Sequence, residues 1–568
     1  MTSGFISKKY KVIYITALLG WMANIFGGLA DSILAGIFIS EEAVAATGLV
    51  TPIYGIVFAL SYLISIGFGH MFSYYVGKFD IKKSRVAAGM SLLLSLAVGI
   101  VVFGLFVLSK ETIFTFFDVG ESIEVLAREY YDKVILVTII APIQNSLYFM
   151  VAEDGAFVAT LAADIIAAVI NPIISVVFVQ IWGISGLAYG SVVTIILMIT
   201  PTLLHFLSSK NSIKYSFKFD FDILKNALKC GSAMFLISIY IAIIDIVMNK
   251  FIIDNIGEIF LPAYAIVNMI LSLGEIGAAA IDAAGPFVSV GYGEKNSKII
   301  KKIMGLATKS NLIMSFIVMI LFFVVSEYLP ALYGIETEEV IDASVYAVRV
   351  LAVTFISNGI IYIWTNYFQR VGRELLGNAI GCMYMLITPL CFGIPLGLAF
   401  GFKGLVWGML MTSVLTVIIV VLYIAIRYGW KNVPFIITDN DNEVYTYELK
   451  LCTEEIVELN KVIDKELKQA GIENSIINKV ELMVEETFNI IIKENKKEVL
   501  AECTVIVDDK QVQLITRDNG RIFDITKCDE KVSSLGHYVA AELMSNSNEK
   551  IYITSISFNR NCYVWERA

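Results

Sequence analysis

Five carboxylates sit where carboxylates are costly. Asp31, Asp164, Asp245, Glu275 and Asp282 each fall inside a long run of Ile, Leu, Val, Phe, Gly and Ala. An ionisable group at membrane depth costs about 2.5–3.5 kcal/mol on insertion scales, so it usually faces a cavity or a partner. The competing arrangement is a charge near the end of a span that reaches water. A second set of polar residues lies in water-soluble sequence near the C-terminus. In "KVELMVEETFNIIIKEN", residues 479–495, Glu485 and Asn489 are four apart and share a helix face. Asp518 and Gly520 follow in "RDNG", and Gly536 in "SSLGHYVAAELM".

The elements that must position the first set are membrane spans. Of 568 residues, 57% are hydrophobic and 17% charged, against about a quarter charged in a soluble domain. Taking roughly 20 apolar residues per crossing, we read twelve spans near 13–38, 47–76, 86–108, 130–152, 159–181, 184–206, 230–253, 261–290, 303–326, 344–367, 376–398 and 403–427. Lys78, Lys82, Lys83 and Arg85 share one short loop, and Lys210 to Lys229 fall in the middle loop. Lys295 to Lys302 fall in another, and Arg370 with Arg373 in a fourth. The alternate loops carry Glu41, Glu42, Glu111, Glu121, Glu327 and Glu338. The basic loops and both termini are therefore expected on the cytoplasmic side of a cell membrane. A net charge of −9 gives no footing for nucleic acid. The seven cysteines form no C-x-x-C pair, which suggests neither a zinc site nor a disulfide framework.

The chain repeats itself. "GHMFSYYVG" at 69–77 and "GPFVSVGYG" at 285–293 align at an offset of 216, and "GISG" at 183–186 with "GFKG" at 401–404 at 218. Two six-span halves follow, 1–216 and 217–430, in parallel orientation about an axis along the membrane normal. Such pairs commonly hold substrate in the cleft between halves.

"LADSILAG" followed by "EEAVAATGLVTPIYG", then "FMVAEDGAFVATLAADIIAAVINPIISVVF", "ISGLAYGSVVT" and "LPAYAIVNMI", resemble the multidrug and toxic compound extrusion transporters over about 1–430. The resemblance implies that Asp31, the first-span acid, helps bind a coupling H⁺ or Na⁺. It also implies a fifth-span Asn with an Asp one turn later. Asn171 is present, but the second position is Ser175, which removes a negative charge from that ion site. Asp245 stands a turn deeper than the seventh-span acid of other relatives, and Asp282 completes the expected coupling set. The coupling ion, H⁺ or Na⁺, stays open.

After Arg427 the chain turns polar. The pattern predicts a strand (443–451), helices (453–470, 474–494), strands (500–508, 511–517), a helix (533–546) and strands (549–557, 560–567), an α/β sandwich occupying 431–568. The order of "EETFN", "RDNG" and "SSLGHYV" resembles the histidine-kinase-like ATP-binding fold, nearest in look to the anti-sigma-factor serine kinases. That resemblance implies ATP with Mg²⁺, the metal held through Asn489. Glu485 would be the catalytic acid handling a hydroxyl or water, and Asp518 with Gly520 would read the adenine. Gly536 would approach the phosphates. Whether such a domain hydrolyses ATP or phosphorylates serine stays open. No G-x-x-x-x-G-K-[ST] motif occurs, so an ABC-type motor is excluded.

The fold class expected is thus a polytopic α-helical membrane protein of twelve helices in two halves plus a histidine-kinase-like α/β sandwich. The function expected is antiport of organic cations or amphipathic small molecules against H⁺ or Na⁺, with a cytoplasmic nucleotide-binding regulatory domain. Asp31, Asn171, Tyr54, Tyr62 and Tyr240 are the expected cavity lining. The alternatives are a flippase for a lipid-linked precursor, which a cationic lining would favour, and a membrane-anchored anti-sigma-like serine kinase or sensor. Partners expected are a cationic small molecule and membrane lipids, with a homodimer or protein partner through the tail left open.

Overall fold

The computed structural model describes residues 4–27, 30–116, 121–332, 335, 337–437, 443–525, 547, 549–556 and 558–567. The first half begins with α1 (Phe5–Gly27), α2 (Ala30–Phe38), α3 (Glu41–Gly77) and α4 (Ile81–Phe116). It continues with α5 (Glu121–Val134), α6 (Val137–Glu153), α7 (Phe157–Ile165), α8 (Asn171–Trp182) and α9 (Ile184–Phe206). The second half runs through α10 (Phe221–Phe251), α11 (Leu261–Leu273), α12 (Ala278–Gly293), α13 (Ser297–Val325) and α14 (Leu329–Leu332). It ends with α15 (Glu338–Leu351), α16 (Thr354–Arg370), α17 (Glu374–Cys382) and α18 (Ile394–Tyr428).

Among the described residues eight helices are long and apolar enough to cross a membrane, or ten if each of the bent pairs α5–α6 and α15–α16 is one span. The sequence reading of twelve differs for two local reasons. Residues 374–428 form one continuous run here, although Gly401 turns it with φ +63° and ψ −147°. The helix α1 stands outside those eight, next to residues 28–29, which are not described.

Two turns at the offset of the expected repeat agree in backbone detail. Phe79 and Lys295, 216 apart, are both left-handed, at φ 59° and 60°, a conformation uncommon outside glycine. One residue on, Asp80 accepts a hydrogen bond from the Lys83 amide (3.0 Å) and Asn296 one from the Ile299 amide (3.1 Å), capping α4 and α13 alike. The two halves meet where α3 crosses α12. A β-carbon on Gly77 would run into the Val290 carbonyl, and one on Gly293 into the Tyr74 carbonyl. Glycine at both positions lets the backbones touch, the usual device at close helix crossings in membranes.

The tail forms β1 (Glu443–Lys450), α19 (Thr453–Gln469), α20 (Asn474–Glu494), β2 (Leu500–Val507), β3 (Gln511–Asp518), β4 (Glu549–Ser555) and β5 (Phe558–Glu566). The strands make one antiparallel sheet in the order β1-β2-β3-β5-β4. Every strand read from the sequence is present, and both helices up to 494 agree within a residue; the expected helix at 533–546 lies outside the described residues. Strand side chains alternate between faces, and here both faces are covered. Cys503, Val505, Leu514 and Tyr563 pack under α19 and α20 with Leu459, Val484 and Phe488. Ile506, Ile515, Phe558 and Cys562 join a core that continues into α1, α3 and α12. The sheet is thus seated on one end of the helical bundle.

Candidate functional site

A cavity of about 690 Å³ lies between the halves. Because α3 ends at the sheet, Thr47 and Tyr54 mark its far end and His70 its near end. Tyr62 also lines it, whereas Tyr240 does not. Of the acids expected from the sequence, Asp164 and Asp282 reach it. The Asp282 carboxylate accepts the Trp21 indole N–H at 2.8 Å, tying α12 to α1. The Asp164 carboxylate accepts the Tyr148 hydroxyl at 3.0 Å, tying α7 to α6. Directly after α7 the helix widens into a π-helical turn, Ile166–Ile170, before Asn171, a distortion often found at functional positions. Asn171 lines the cavity. Its amide oxygen accepts from the Thr194 hydroxyl (3.1 Å) and from Ser175 (3.4 Å), so Ser175 sits behind it, fully buried. Asp245 faces Asn268 of α11 at 3.4 Å and is not part of this lining. The side chains of Asp31 and Glu275 lie outside the described residues.

The sheet-side floor of the cavity holds a charge that the sequence reading places elsewhere. Arg370, expected in a basic loop, is the last residue of α16 and is buried. Its guanidinium donates to the Glu153 carboxylate of α6 at 2.7 Å and to the Ser289 hydroxyl of α12 at 3.0 Å. The other Glu153 oxygen accepts from Ser73 of α3 at 2.6 Å. One ion pair therefore joins four helices and both halves. An arginine therefore lines the cavity, neutralised by Glu153, where the sequence reading marks only carboxylates as embedded charges. Nearby, both His70 ring nitrogens and Arg370 Nε are buried with no hydrogen-bond partner among the described residues. The sequence carried one signal for this pair, the buried "AED" at 152–154 closing an apolar span.

The second candidate site lies on the helix face of the sheet. Asp518 ends β3 and is buried. Its Oδ1 accepts from the Gly520 amide (2.9 Å) and from Asn559 Nδ2 (2.8 Å), while Oδ2 is buried with no hydrogen-bond partner among the described residues. Burial pushes this carboxyl up to about 6, against the pull of those two donors. Gly520 abuts Asn495 at the end of α20: a β-carbon on Gly520 would come within 2.7 Å of the Asn495 amide nitrogen. Glu485 is exposed and Asn489 half-buried, both on α20. Gly536 lies outside the described residues. Among the described residues no group of three or more His, Cys, Asp or Glu could hold a metal ion.

The MatE family model matches residues 17–177 and 233–398, more than half of the chain. No curated protein matches it. Among solved structures, a MATE transporter in its straight conformation superposes with a TM-score of 0.69 at 19% identity, covering 75% of this chain and 97% of that one. A multidrug resistance MATE family transporter of the MOP superfamily, in an outward-facing conformation, gives 0.68 at 20% identity over 75% and 97%. A MOP superfamily transporter from Pyrococcus furiosus Vc1 (DSM3638), described as having a binding pocket of reversed polarity, is also similar. At these identities the structures establish the fold alone.

Proposed function

The chain belongs to the MatE family, and on that premise we propose that it is a secondary active exporter of organic cations or amphipathic small molecules, coupled to H⁺ or Na⁺ by alternating access. The observation that carries this reading is the cavity between the halves, lined by two embedded carboxylates, Asp164 and Asp282, whose hydrogen-bond donors Tyr148 and Trp21 are neutral. With Arg370 balanced by Glu153, the surplus charge of the lining is acidic, which favours cationic cargo over a lipid-linked anion. Twelve spans belong to the same reading: the two bent pairs, a division at Gly401 and α1 bring the eight apolar helices to that number. The basic loops and the sheet then lie in the cytoplasm. The test is transport of a labelled organic cation in proteoliposomes under an imposed H⁺ or Na⁺ gradient. Asp282→Asn should cut the rate about tenfold or more if this carboxylate takes part in coupling.

For the tail we propose adenine nucleotide binding with Mg²⁺ in a regulatory role. The support is Asp518: a buried carboxylate oxygen with no partner among the described residues, beside a glycine turn and the helix that carries Glu485 and Asn489. An amino group of a ligand would satisfy that oxygen. Asn489 would hold the metal through the phosphates, and Glu485 would face the attacking group. Full-length protein should bind a labelled ATP analogue with Mg²⁺ in the wild type and lose it in Asn489→Ala and Asp518→Ala. Binding that survives both substitutions would refute the assignment.

A further inference from the structure

The face of the sheet opposite Asp518 carries charges that a solvent-facing strand would leave in water. Arg517, Arg560 and Glu502 are buried, at 2%, 1% and 1% exposure. The partner that both arginines share is Glu294, in the turn after α12. Arg517 donates to one Glu294 oxygen and to Glu502, and Arg560 donates to the other Glu294 oxygen. Arg560 also reaches the first half: it donates to the Val76 carbonyl at 3.1 Å and lies over the Phe79 ring at 4.4 Å. One guanidinium thus grips both repeat-related turns at the α3–α12 crossing. The halves are gripped elsewhere too. Phe558 packs on Phe5 of α1 with ring centroids 4.5 Å apart, and Glu448 of β1 pairs with Lys302 of α13 at 2.5 Å. The position equivalent to Glu294 in the first half, 216 residues earlier, is Lys78, whose ammonium lies over the Tyr74 ring. At this position the second-half turn offers the arginines a carboxylate and the first-half turn an ammonium.

We propose that the sheet is a lock on the sheet-side gate: by binding Glu294 and the 76–79 turn together, it holds the two halves closed beneath the cavity. The proposal rests on the alternating-access reading and is independent of nucleotide binding. Opening on that side must separate Gly77 from Gly293, so it must also pull Arg560 from one half or undock the sheet. Removing one partner of a buried ion pair leaves the other charge uncompensated, which is strongly destabilising. The docked state is therefore one of two discrete arrangements rather than a graded contact.

Two native thiols read the two events. Cys562 of β5 is buried under the docked face, and Cys230 of α10 is buried beside the crossing of α10 with α3. The experiment is alkylation of the full-length protein in inside-out vesicles with a polar maleimide, each cysteine quantified by peptide mass spectrometry. Both thiols should be protected in the wild type. Arg560→Ala should raise the Cys562 rate about tenfold or more and raise Cys230 with it, as expected when a protecting structure opens more often. Lys302→Ala removes a half-exposed partner at the rim of the same interface and should move both thiols the same way by a smaller factor. It carries the test if Arg560→Ala fails to fold. A rise at Cys562 with Cys230 still protected would show undocking without gate release and overturn the lock. No rise at either thiol would overturn it as well. If reconstituted wild type transports nothing, the exporter reading falls, while the variant comparison still reports whether the sheet holds the gate.

Discussion

Replacing Asp518 with Asn should stabilise the sheet and at the same time abolish nucleotide binding. The carboxyl is 1% exposed, has one oxygen unpartnered among the described residues and is pushed up to about 6 by burial. An unfolded Asp titrates near 3.9. Below that value both states hold the proton and the residue costs nothing. Between about 3.9 and about 6 the folded chain keeps a proton that the unfolded chain has released, so stability falls as pH rises. Above about 6 the loss levels off at roughly two pKa units, about 3 kcal/mol. Asn keeps an acceptor for the Gly520 and Asn559 donors and has no charge to bury. At pH 7.5 the variant should gain about 1 to 3 kcal/mol, slowing amide exchange in β3 and β5 of the full-length protein about tenfold to a hundredfold. At pH 4 wild type and variant should converge. Faster exchange in the variant, or an advantage independent of pH, would refute the reasoning that this charge is held at a cost for a ligand. Stability set aside for function is a familiar trade.

Other outcomes follow from the same geometry. Wild-type affinity for the ATP analogue should rise from pH 5 to pH 7, because the ionised Asp518 is the better acceptor for an amino group; titration by fluorescence anisotropy reads it, and a fall would contradict the assignment. Glu153→Gln should lower thermal stability in detergent by about 3–5 kcal/mol because Arg370 stays buried without its partner. Adding Arg370→Met should recover part of that loss, and additive penalties would mean that the pair is not coupled. Gly77→Val should disfavour the closed crossing and raise Cys230 alkylation from the sheet side; unchanged protection would place the gate elsewhere.

Much of the architecture was legible because its signals are local. Apolar run length marks the membrane helices though not their number, period-2 alternation gives the strands, and the 216-residue offset predicts turns whose backbone angles agree. Asp282 and Asn171 could be marked because a polar group in an apolar run stands out, and Asp518 because its D-x-G turn is short-range. Arg370 could not be placed. A charge at the end of an apolar run reads as loop, and its partner Glu153 is 217 residues away. Arg517 and Arg560 were hidden for a related reason. Alternation says which face they share, but not that the face is covered by the turns after α3 and α12. Asp245 illustrates the converse: its type and depth resemble those of Asp282, yet helix rotation turns it toward Asn268.

In the proposed exporter the embedded carboxylates of the cavity couple an ion gradient to movement of a cation. The most direct measurement is uptake of a labelled organic cation into proteoliposomes carrying the full-length protein, with H⁺ and Na⁺ gradients imposed in turn, for wild type and Asp282→Asn. Accumulation against the substrate gradient is expected under at least one ion gradient, abolished by the ionophore that collapses it and strongly reduced in the variant. Equal uptake with and without either gradient, or an Asp282→Asn protein that accumulates substrate as well as the wild type, would contradict it.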